Sequence, residues 1–168
     1  MEKNEMADGK GAGEAPKPQH AAKKADDAPA QAGKAGPNVR KVVLDTNALM
    51  LVHQFKIDIL SEVARLMDWD YSFVITDRAI WELDNLLASR KRGFKSARLA
   101  KAYLEHIKAK GVLEIIHSEM KVDDWIVKFA ADNPGTVVLT NDIILKKRLR
   151  EKKTKLIGLR SKDHLDIM

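Results

Sequence analysis

The chain has 168 residues, a formal net charge of +6 and no cysteine. This length allows one ordinary domain plus an extension, and the lack of cysteine excludes disulfides, cysteine nucleophiles and cysteine-ligated zinc. No apolar run approaches the length of a membrane span, and no apolar stretch of a secretory signal stands at the start. We therefore expect a soluble, cytoplasmic protein with no membrane partner.

The composition changes near residue 38. Residues 1–38 are rich in alanine, lysine, proline and glycine, and their only large apolar residues are Met1 and Met6. Such a segment cannot bury enough apolar surface to offset the entropy lost on ordering. We therefore predict a disordered extension over 1–38 and one folded domain over 39–168. Most of the excess positive charge falls on the folded domain, which favours a polyanionic partner.

Short apolar strands and amphipathic helices alternate through the folded part. Strands are predicted at 42–44, 71–76, 112–117, 136–140 and 155–159, the last followed by a short tail. Helices are predicted at 47–53, 58–67, 77–88 with Asp77 as its cap, 95–110 with Gly111 as its stop, 122–133 and 142–152. Trp69, Trp81 and Trp125 are expected to pack in the core or between helices. This alternation predicts an α/β fold with a mostly parallel central sheet of about five strands, flanked by helices.

Carboxylates follow successive predicted strands. Asp45 ends the first strand, Glu82 lies one turn into the helix after the second, Asp123 and Asp124 begin the helix after the third, and Asp142 follows the fourth. Ligands of parallel sheets bind beyond the carboxyl ends of the strands, so these acids should meet at one edge. Their mutual repulsion is relieved by a divalent cation, and oxygen-only ligands suit Mg²⁺ or Mn²⁺. The pattern therefore predicts a metal-dependent phosphodiesterase that acts on nucleic acid.

Each of these acids also has a purely structural interpretation. Asp45 and Asp142 could cap the helices that follow them, and Glu82 could be a solvated helix residue. Asp123 and Asp124 could simply stabilise a helix N-terminus. Asp123 lies beside the apolar stripe of its helix and Asp124 points nearly opposite. We therefore expect Asp123 to be the metal ligand, with Asp124 as second choice in a capping or water-mediated role.

The order and spacing of these motifs resemble the PIN domain, an RNase-H-like family of metal-dependent ribonucleases. The resemblance covers about residues 41–160 and is carried by VLDTN at 43–47, EL at 82–83, DDWI at 123–126 and VLTND at 138–142. It implies a three-layer sandwich and RNA hydrolysis with one or two Mg²⁺ or Mn²⁺ ions. It also implies a homodimer. The catalytic, metal-binding acids implied are Asp45, Glu82, Asp123 and Asp142, with Asn47 and Thr140 in support of the first and last.

Within this family, the chain resembles archaeal relatives of the endonucleases that process ribosomal RNA in the small-subunit processome. The residues that carry this likeness are 45–50, 54–55, 145–149 and 156–160. The implied function is an endoribonuclease of ribosomal RNA processing. Two alternatives stay open. VapC-type toxin ribonucleases share the same acids and pair with an antitoxin, and a non-catalytic RNA-binding assembly factor could use the same fold.

Two basic runs are candidates for RNA contact. The first surrounds Phe94, whose ring could stack on a base, and consists of Arg90, Lys91, Arg92, Lys95 and Arg98. The second lies on the last helix and includes Lys146, Lys147 and Arg148. A solvated helix face that keeps the domain soluble explains the second run equally well. His53 shows no metal-ligand spacing and is assigned no role.

Overall fold

The computed structural model describes residues 39–168 except Lys91. The extension predicted over residues 1–38 lies outside the described residues. The strands are Arg40–Leu44 (β1), Tyr71–Thr76 (β2), Leu113–Ile116 (β3), Val137–Leu139 (β4), Lys155–Ser161 (β5) and His164–Ile167 (β6). The helices are Thr46–Phe55 (α1), Ile59–Leu66 (α2), Asp77–Ser89 (α3), Phe94–Ala109 (α4), Val122–Asp132 (α5) and Ile143–Glu151 (α6).

The six strands form one sheet in the order β3-β2-β1-β4-β5-β6. The first five are parallel, and β6 runs antiparallel to β5. Strands β1, β2 and β3 therefore follow one another outward in one half of the sheet. Strand β4 then lies beside β1, and β5 and β6 follow it outward in the other half. Right-handed crossovers in opposite directions place the helices on opposite faces. In agreement, α1, α3 and α4 pack together, and α5 packs on α6. The predicted α/β sandwich with a mostly parallel sheet is confirmed.

The two central strands, β1 and β4, are buried on both faces. Val42, Val43, Val138 and Leu139 have essentially no exposed surface, which explains why these strands are continuous apolar runs rather than alternating ones. Val43 pairs with Val138 in the parallel register. The carboxyl ends of both strands therefore stand side by side in the middle of the sheet.

The C-terminal tail predicted after residue 159 is wrong, because the chain continues into a sixth strand. Glu62 on α2 accepts a hydrogen bond from Leu165 N–H (2.8 Å), and Arg65 donates to the Leu165 carbonyl (2.7 Å). Leu165 itself is buried. A strand of four residues with one buried apolar side chain is too short to show an alternating pattern. Its position is fixed by contacts with α2, about a hundred residues earlier.

Two local predictions also need correction, and one is confirmed. Thr76 rather than Asp77 caps α3, since the Thr76 hydroxyl accepts a hydrogen bond from Ala79 N–H (3.1 Å). Trp81 does not pack in the core: it is 51% exposed, with the Arg78 guanidinium over its ring. Gly111 follows the end of α4 with a φ of +71°, as expected for a helix stop.

Within the described residues, every helix is too short or too polar to cross a bilayer.

Candidate active site

The candidate site lies where the connections after β1 and β4 leave toward opposite faces of the sheet. Such a switch point creates a crevice at the carboxyl ends of the strands, where ligands of open α/β sheets bind. Asp45 follows β1 directly, and its N–H donates to the Leu139 carbonyl of β4 (3.1 Å). Thr140 follows β4 and its N–H donates to the Ile157 carbonyl of β5 (3.1 Å). The first and fourth predicted motifs are therefore fixed side by side by the backbone.

Asp45 is buried at the base of this crevice, with 2% of its surface exposed. The Thr140 hydroxyl donates to Asp45 Oδ2 (2.6 Å), and Asp142 N–H donates to the same hydroxyl (3.0 Å). Asp45 also precedes α1, and the Asn47 N–H in the first turn of that helix lowers the pKa of the Asp45 carboxyl, although no capping hydrogen bond of standard geometry forms within the described residues. Asp45 therefore combines a weak capping contact with the hydrogen bond from Thr140. Thr140 links the first and last acids of the predicted quartet.

The surroundings of Asp45 disfavour its ionised form. Burial raises the pKa of Asp45 to about 6, although the Thr140 hydrogen bond acts in the opposite direction. The negative charges of Asp123 and Asp142 raise the pKa further. A buried carboxylate beside other carboxylates is an arrangement that a cation would stabilise.

Glu82 lines the same cleft as Asp45, from the second turn of α3. The Thr46 hydroxyl donates to Glu82 Oε2 (3.2 Å), so the start of α1 holds the acid of α3. Partial burial raises the pKa of Glu82, the Thr46 hydrogen bond opposes this, and the charge of Asp123 adds to it. The hydrogen bond from Thr46 therefore fixes the Glu82 side chain within the acidic group, and Glu82 is not a freely solvated helix residue.

The two acids of α5 have different surroundings. Asp124 accepts a hydrogen bond from Arg148 Nη2 of α6 (2.7 Å). Asp123 has no hydrogen-bond partner in the described part of the chain, and desolvation together with the charge of Asp142 raises its pKa, while Arg148 lowers it. Asp123 is also the α5 residue whose charge acts on both Asp45 and Glu82. The geometry therefore favours Asp123 over Asp124 as a ligand, in line with the preference from the helical wheel.

Asp142 does cap the helix that follows it. Its Oδ1 accepts a hydrogen bond from Leu145 N–H (2.8 Å) at the start of α6. The capping interpretation of this residue is therefore observed, and one carboxylate oxygen remains for another role. The charge of Asp142 also acts on Asp45 and Asp123, which places it within the same electrostatic group.

These acids border a cleft of about 920 Å³ between α3, α5 and the end of β1. Asp45, Glu82, Asp123 and Asp124 line it, and Asp142 lines an adjoining hollow that shares Asn47 with the cleft. Four further polar residues line the cleft and were not predicted from the sequence, namely Thr46, Asn85, Ser89 and Lys121. Helical spacing could have found two of them, because Glu82, Asn85 and Ser89 follow each other at i, i+3 and i+7.

The donor set fits a hard divalent cation. The group supplies carboxylate and hydroxyl oxygens only, and its like charges raise the pKa values of three of its members. Among the described residues, no three acids or histidines stand close enough to form a ready-made ion cage. A hydrated ion that keeps several waters and takes few direct protein ligands does not require such a cage.

The predicted RNA contacts divide into exposed and buried residues. Arg90, Arg92 and Lys95 border a separate hollow that also contains His53 of α1. Arg148 lines the acidic cleft itself. Arg98 and Lys147 are exposed on α4 and α6, and Lys91 lies outside the described residues.

Lys146 does not face solvent as an RNA contact requires, and that expectation is corrected. It is 8% exposed, and its ammonium donates to Asn141 Oδ1 (3.2 Å). The physical reason lies in β5, where Gly158 has no side chain. A Cβ at that position would lie 2.7 Å from the Lys146 ammonium. The missing side chain therefore makes room for the lysine beneath α6.

Comparison with known proteins agrees with this geometry. Residues 42–162 match a protein family described as a PIN like domain. The chain belongs to the PIN-domain ribonuclease family. Ribonuclease VapC4 of Methanocaldococcus jannaschii is 30% identical over 127 residues, which cover 76% of this chain and 95% of the relative. Ribonuclease VapC9 of Archaeoglobus fulgidus is 33% identical over 116 residues, which cover 68% and 78%.

Solved structures of PIN-domain and uncharacterised proteins share the fold. The PIN domain endonuclease Utp24 superposes with a TM-score of 0.60 at 24% identity, covering 76% of this chain and 90% of that one. A domain of a functionally unknown protein from Methanocaldococcus jannaschii gives a TM-score of 0.53 at 15% identity, covering 73% and 93%. At these identities the two structures support the PIN fold alone, so the acidic cleft has to be interpreted from this chain's own residues.

Proposed function

We propose that this PIN-domain protein is a metal-dependent endoribonuclease that hydrolyses phosphodiester bonds of RNA. The observation that carries the proposal is the convergence of four acids from four segments on one crevice, where their charges act on one another. Carboxylates that raise each other's pKa do not stabilise a fold, so their assembly at a ligand-binding edge favours a catalytic role.

Asp45, Glu82, Asp123 and Asp142 would hold Mg²⁺ or Mn²⁺. The chemistry such an ion supplies when bound is activation of water and neutralisation of charge on the phosphate. Thr140 and Thr46 orient the Asp45 and Glu82 carboxylates through the hydrogen bonds described above. Asn47 borders both the cleft and the hollow of Asp142, in a position to support the acids or the substrate.

Arg148 gives the acidic cleft a cationic rim. Its guanidinium donates to Asp124 and its charge lowers the pKa of Asp123. A guanidinium that is held by one carboxylate keeps further N–H donors for phosphate oxygens. We therefore assign Asp124 a positioning role: it holds Arg148 at the rim, where Arg148 attracts the RNA backbone to a site that would otherwise repel it.

The proposal is tested by incubating end-labelled RNA with the protein in Mg²⁺, in Mn²⁺ and in chelator, beside Asp45→Asn. Asp84→Asn is the matched control, because it removes the same charge from α3 at a residue that pairs with Lys101 outside the cleft. We expect cleavage that needs the metal, is lost in Asp45→Asn and persists in Asp84→Asn. Equal cleavage in chelator, or in Asp45→Asn, would contradict the proposal.

For the biological role, we propose ribosomal RNA processing. The segments at residues 45–50, 54–55, 145–149 and 156–160 support this role through their resemblance to the processing endonucleases. The test is to map cleavage sites on a small-subunit precursor RNA. One or a few sites near the ends of the mature RNA are expected, whereas scattered cleavage along the precursor would contradict this role.

A VapC-type toxin ribonuclease is the second candidate, and the relation to VapC4 and VapC9 favours it. Such a protein would inhibit growth of a host cell on expression, and Asp45→Asn would relieve the inhibition. A small antitoxin would be its protein partner. If the protein instead binds precursor RNA and cleaves no RNA with any metal, it acts as an assembly factor on the same fold.

Light scattering of the purified protein tests the homodimer that the family resemblance implies.

A further inference from the structure

A basic hollow of about 400 Å³ lies at the turn between α3 and α4, separate from the acidic cleft and from the hollow lined by Asp142. Its lining residues are His53, Arg90, Arg92, Gly93, Phe94, Lys95 and Ser96. No acidic residue lines it, and no carboxylate pairs with Arg90, Arg92 or Lys95 within the described part of the chain. Three like charges around one hollow repel each other, and a bound anion would relieve this repulsion.

The basic hollow begins at the C-terminal end of α3, the helix that also lines the acidic cleft. Glu82, Asn85, Leu86 and Ser89 all line the cleft, so the cleft extends along one face of α3 toward its C-terminal end. Arg90, the next residue in the chain, lines the hollow. Eight positions separate Glu82 from Arg90, a distance of about 12 Å along a helix. A polymer bound at the acids can therefore reach the hollow along α3.

The hollow also contains groups that suit the base and the phosphate of a nucleotide. Ser96 is buried, and its Oγ lies 2.7 Å from Nδ1 of His53, which fixes the imidazole ring. The other ring nitrogen, Nε2, has no partner among the described residues and can donate to an anion. The ring of Phe94 is half-exposed in the same hollow and offers a stacking surface.

We propose that this basic hollow is a substrate subsite that binds an unpaired nucleotide of the RNA. Arg90, Arg92 and Lys95 contact its phosphate, and Phe94 stacks on its base. The inference takes its substrate class from the proposed function, whereas its test relies on binding without cleavage.

The test measures binding of a fluorescent, unstructured RNA in chelator by anisotropy. The variant Arg92→Gln/Lys95→Gln is compared with Lys108→Gln/Lys110→Gln, which removes the same charge at the other end of α4, about 24 Å away. All four side chains are exposed, so both variants should fold. We expect roughly tenfold weaker binding for the first variant and a salt dependence shallower by about 1.4 in logarithmic slope. The control should stay within about twofold of the wild type.

A second comparison tests the stacking. Phe94→Leu should weaken binding of the same RNA by several-fold and leave the salt dependence unchanged, because it removes a stacking surface and no charge. Equal losses in the two charge variants, or no loss in either, would overturn the subsite. Failure of the wild type to cleave RNA with metal, alongside binding that depends on Arg92 and Lys95, would support the subsite and contradict the proposed activity alone.

Discussion

The carboxyl group of Asp45 lowers the stability of the fold that contains it. It is buried at the end of β1, and its pKa is raised to about 6 by burial and by the charges of Asp123 and Asp142. A group that binds protons more tightly when folded than when unfolded stabilises the fold below its unfolded pKa of 3.8. That contribution is lost as the pH rises through about 6. At neutral pH the ionised carboxylate is therefore a cost that a bound cation would offset.

Asp45→Asn should consequently stabilise the metal-free protein at pH 8. The raised pKa corresponds to at most about 3 kcal/mol in the free energy of unfolding, because each pKa unit is worth about 1.4 kcal/mol. The gain should shrink between pH 6 and pH 4 as the wild-type carboxyl becomes protonated. Urea unfolding in chelator at several pH values measures it, with Asp84→Asn as control. A variant less stable than the wild type at pH 8 would contradict the assigned electrostatics.

Asp123 and Asp124 should respond differently to the same substitution. Asp123→Asn removes a proposed ligand, and we expect metal-dependent RNA cleavage to fall by more than about 100-fold. Asp124→Asn removes an exposed ion pair with Arg148, worth less than about 1 kcal/mol, so cleavage should fall by less than about tenfold. That smaller loss should appear mainly in KM, as in Arg148→Gln. The reverse order of the two losses would assign the ligand to Asp124.

Helix α6 packs on the sheet through Lys146, whose side chain lies over Gly158 of β5. The buried ammonium of Lys146 occupies the space above Gly158, and desolvation lowers the pKa of Lys146. A Cβ at Gly158 would lie 2.7 Å from the Lys146 ammonium and 2.7 Å from the Met168 sulfur. To admit the methyl group, the buried Lys146 ammonium has to shift from its position beside Asn141.

Gly158→Ala should therefore destabilise the protein by about 1–2 kcal/mol through overpacking. Lys146→Ala removes the flexible end that the new methyl group meets, so the double variant should lose less than the sum of the two single losses. Thermal unfolding of the four proteins of this cycle measures the coupling. Strictly additive losses would mean that Lys146 does not occupy the space above Gly158.

The elements differ in how far the sequence predicts them. The buried strands β1 and β4 and the amphipathic helices stand out in the pattern of apolar residues, because both are set by local periodicity. The edge strand β6 does not, since Glu62 and Arg65 fix it across a long stretch of chain. The burial of Lys146 was also missed, because it depends on a tertiary neighbour, Gly158. The exposure of Trp81 has a local basis, since its ring stacks with Arg78 three residues earlier on the same helix.

The candidate site was predictable as a set of segments but not as a set of contacts. The rule that ligands bind at the carboxyl ends of parallel strands places Asp45 and Asp142 together before any coordinates are known. The hydrogen bond from Thr46 to Glu82 links α1 to α3, and the pairing of Asp124 with Arg148 links α5 to α6. Spacing within one segment contains no information about such contacts between helices.

Two surfaces of opposite charge lie along α3 and directly after its C-terminal end. The acidic cleft lies at the switch point of the sheet, and the basic hollow lies beyond Ser89 at the end of the same helix. A polyanion drawn to the basic side chains is thereby led to carboxylates that would repel it unless a cation is present. We therefore propose that the acids of this cleft bind a divalent cation together.

The most direct test is Mn²⁺ binding, followed by the electron paramagnetic resonance signal of the free ion during titration of metal-free protein. Wild type, Asp45→Asn, Asp123→Asn and Asp84→Asn are compared, with no RNA present. We predict that Asp45→Asn and Asp123→Asn each weaken Mn²⁺ binding by at least about tenfold, and that Asp84→Asn binds like the wild type. Equal Mn²⁺ affinity in all four proteins would contradict the claim, because the ion would then be bound outside the cleft.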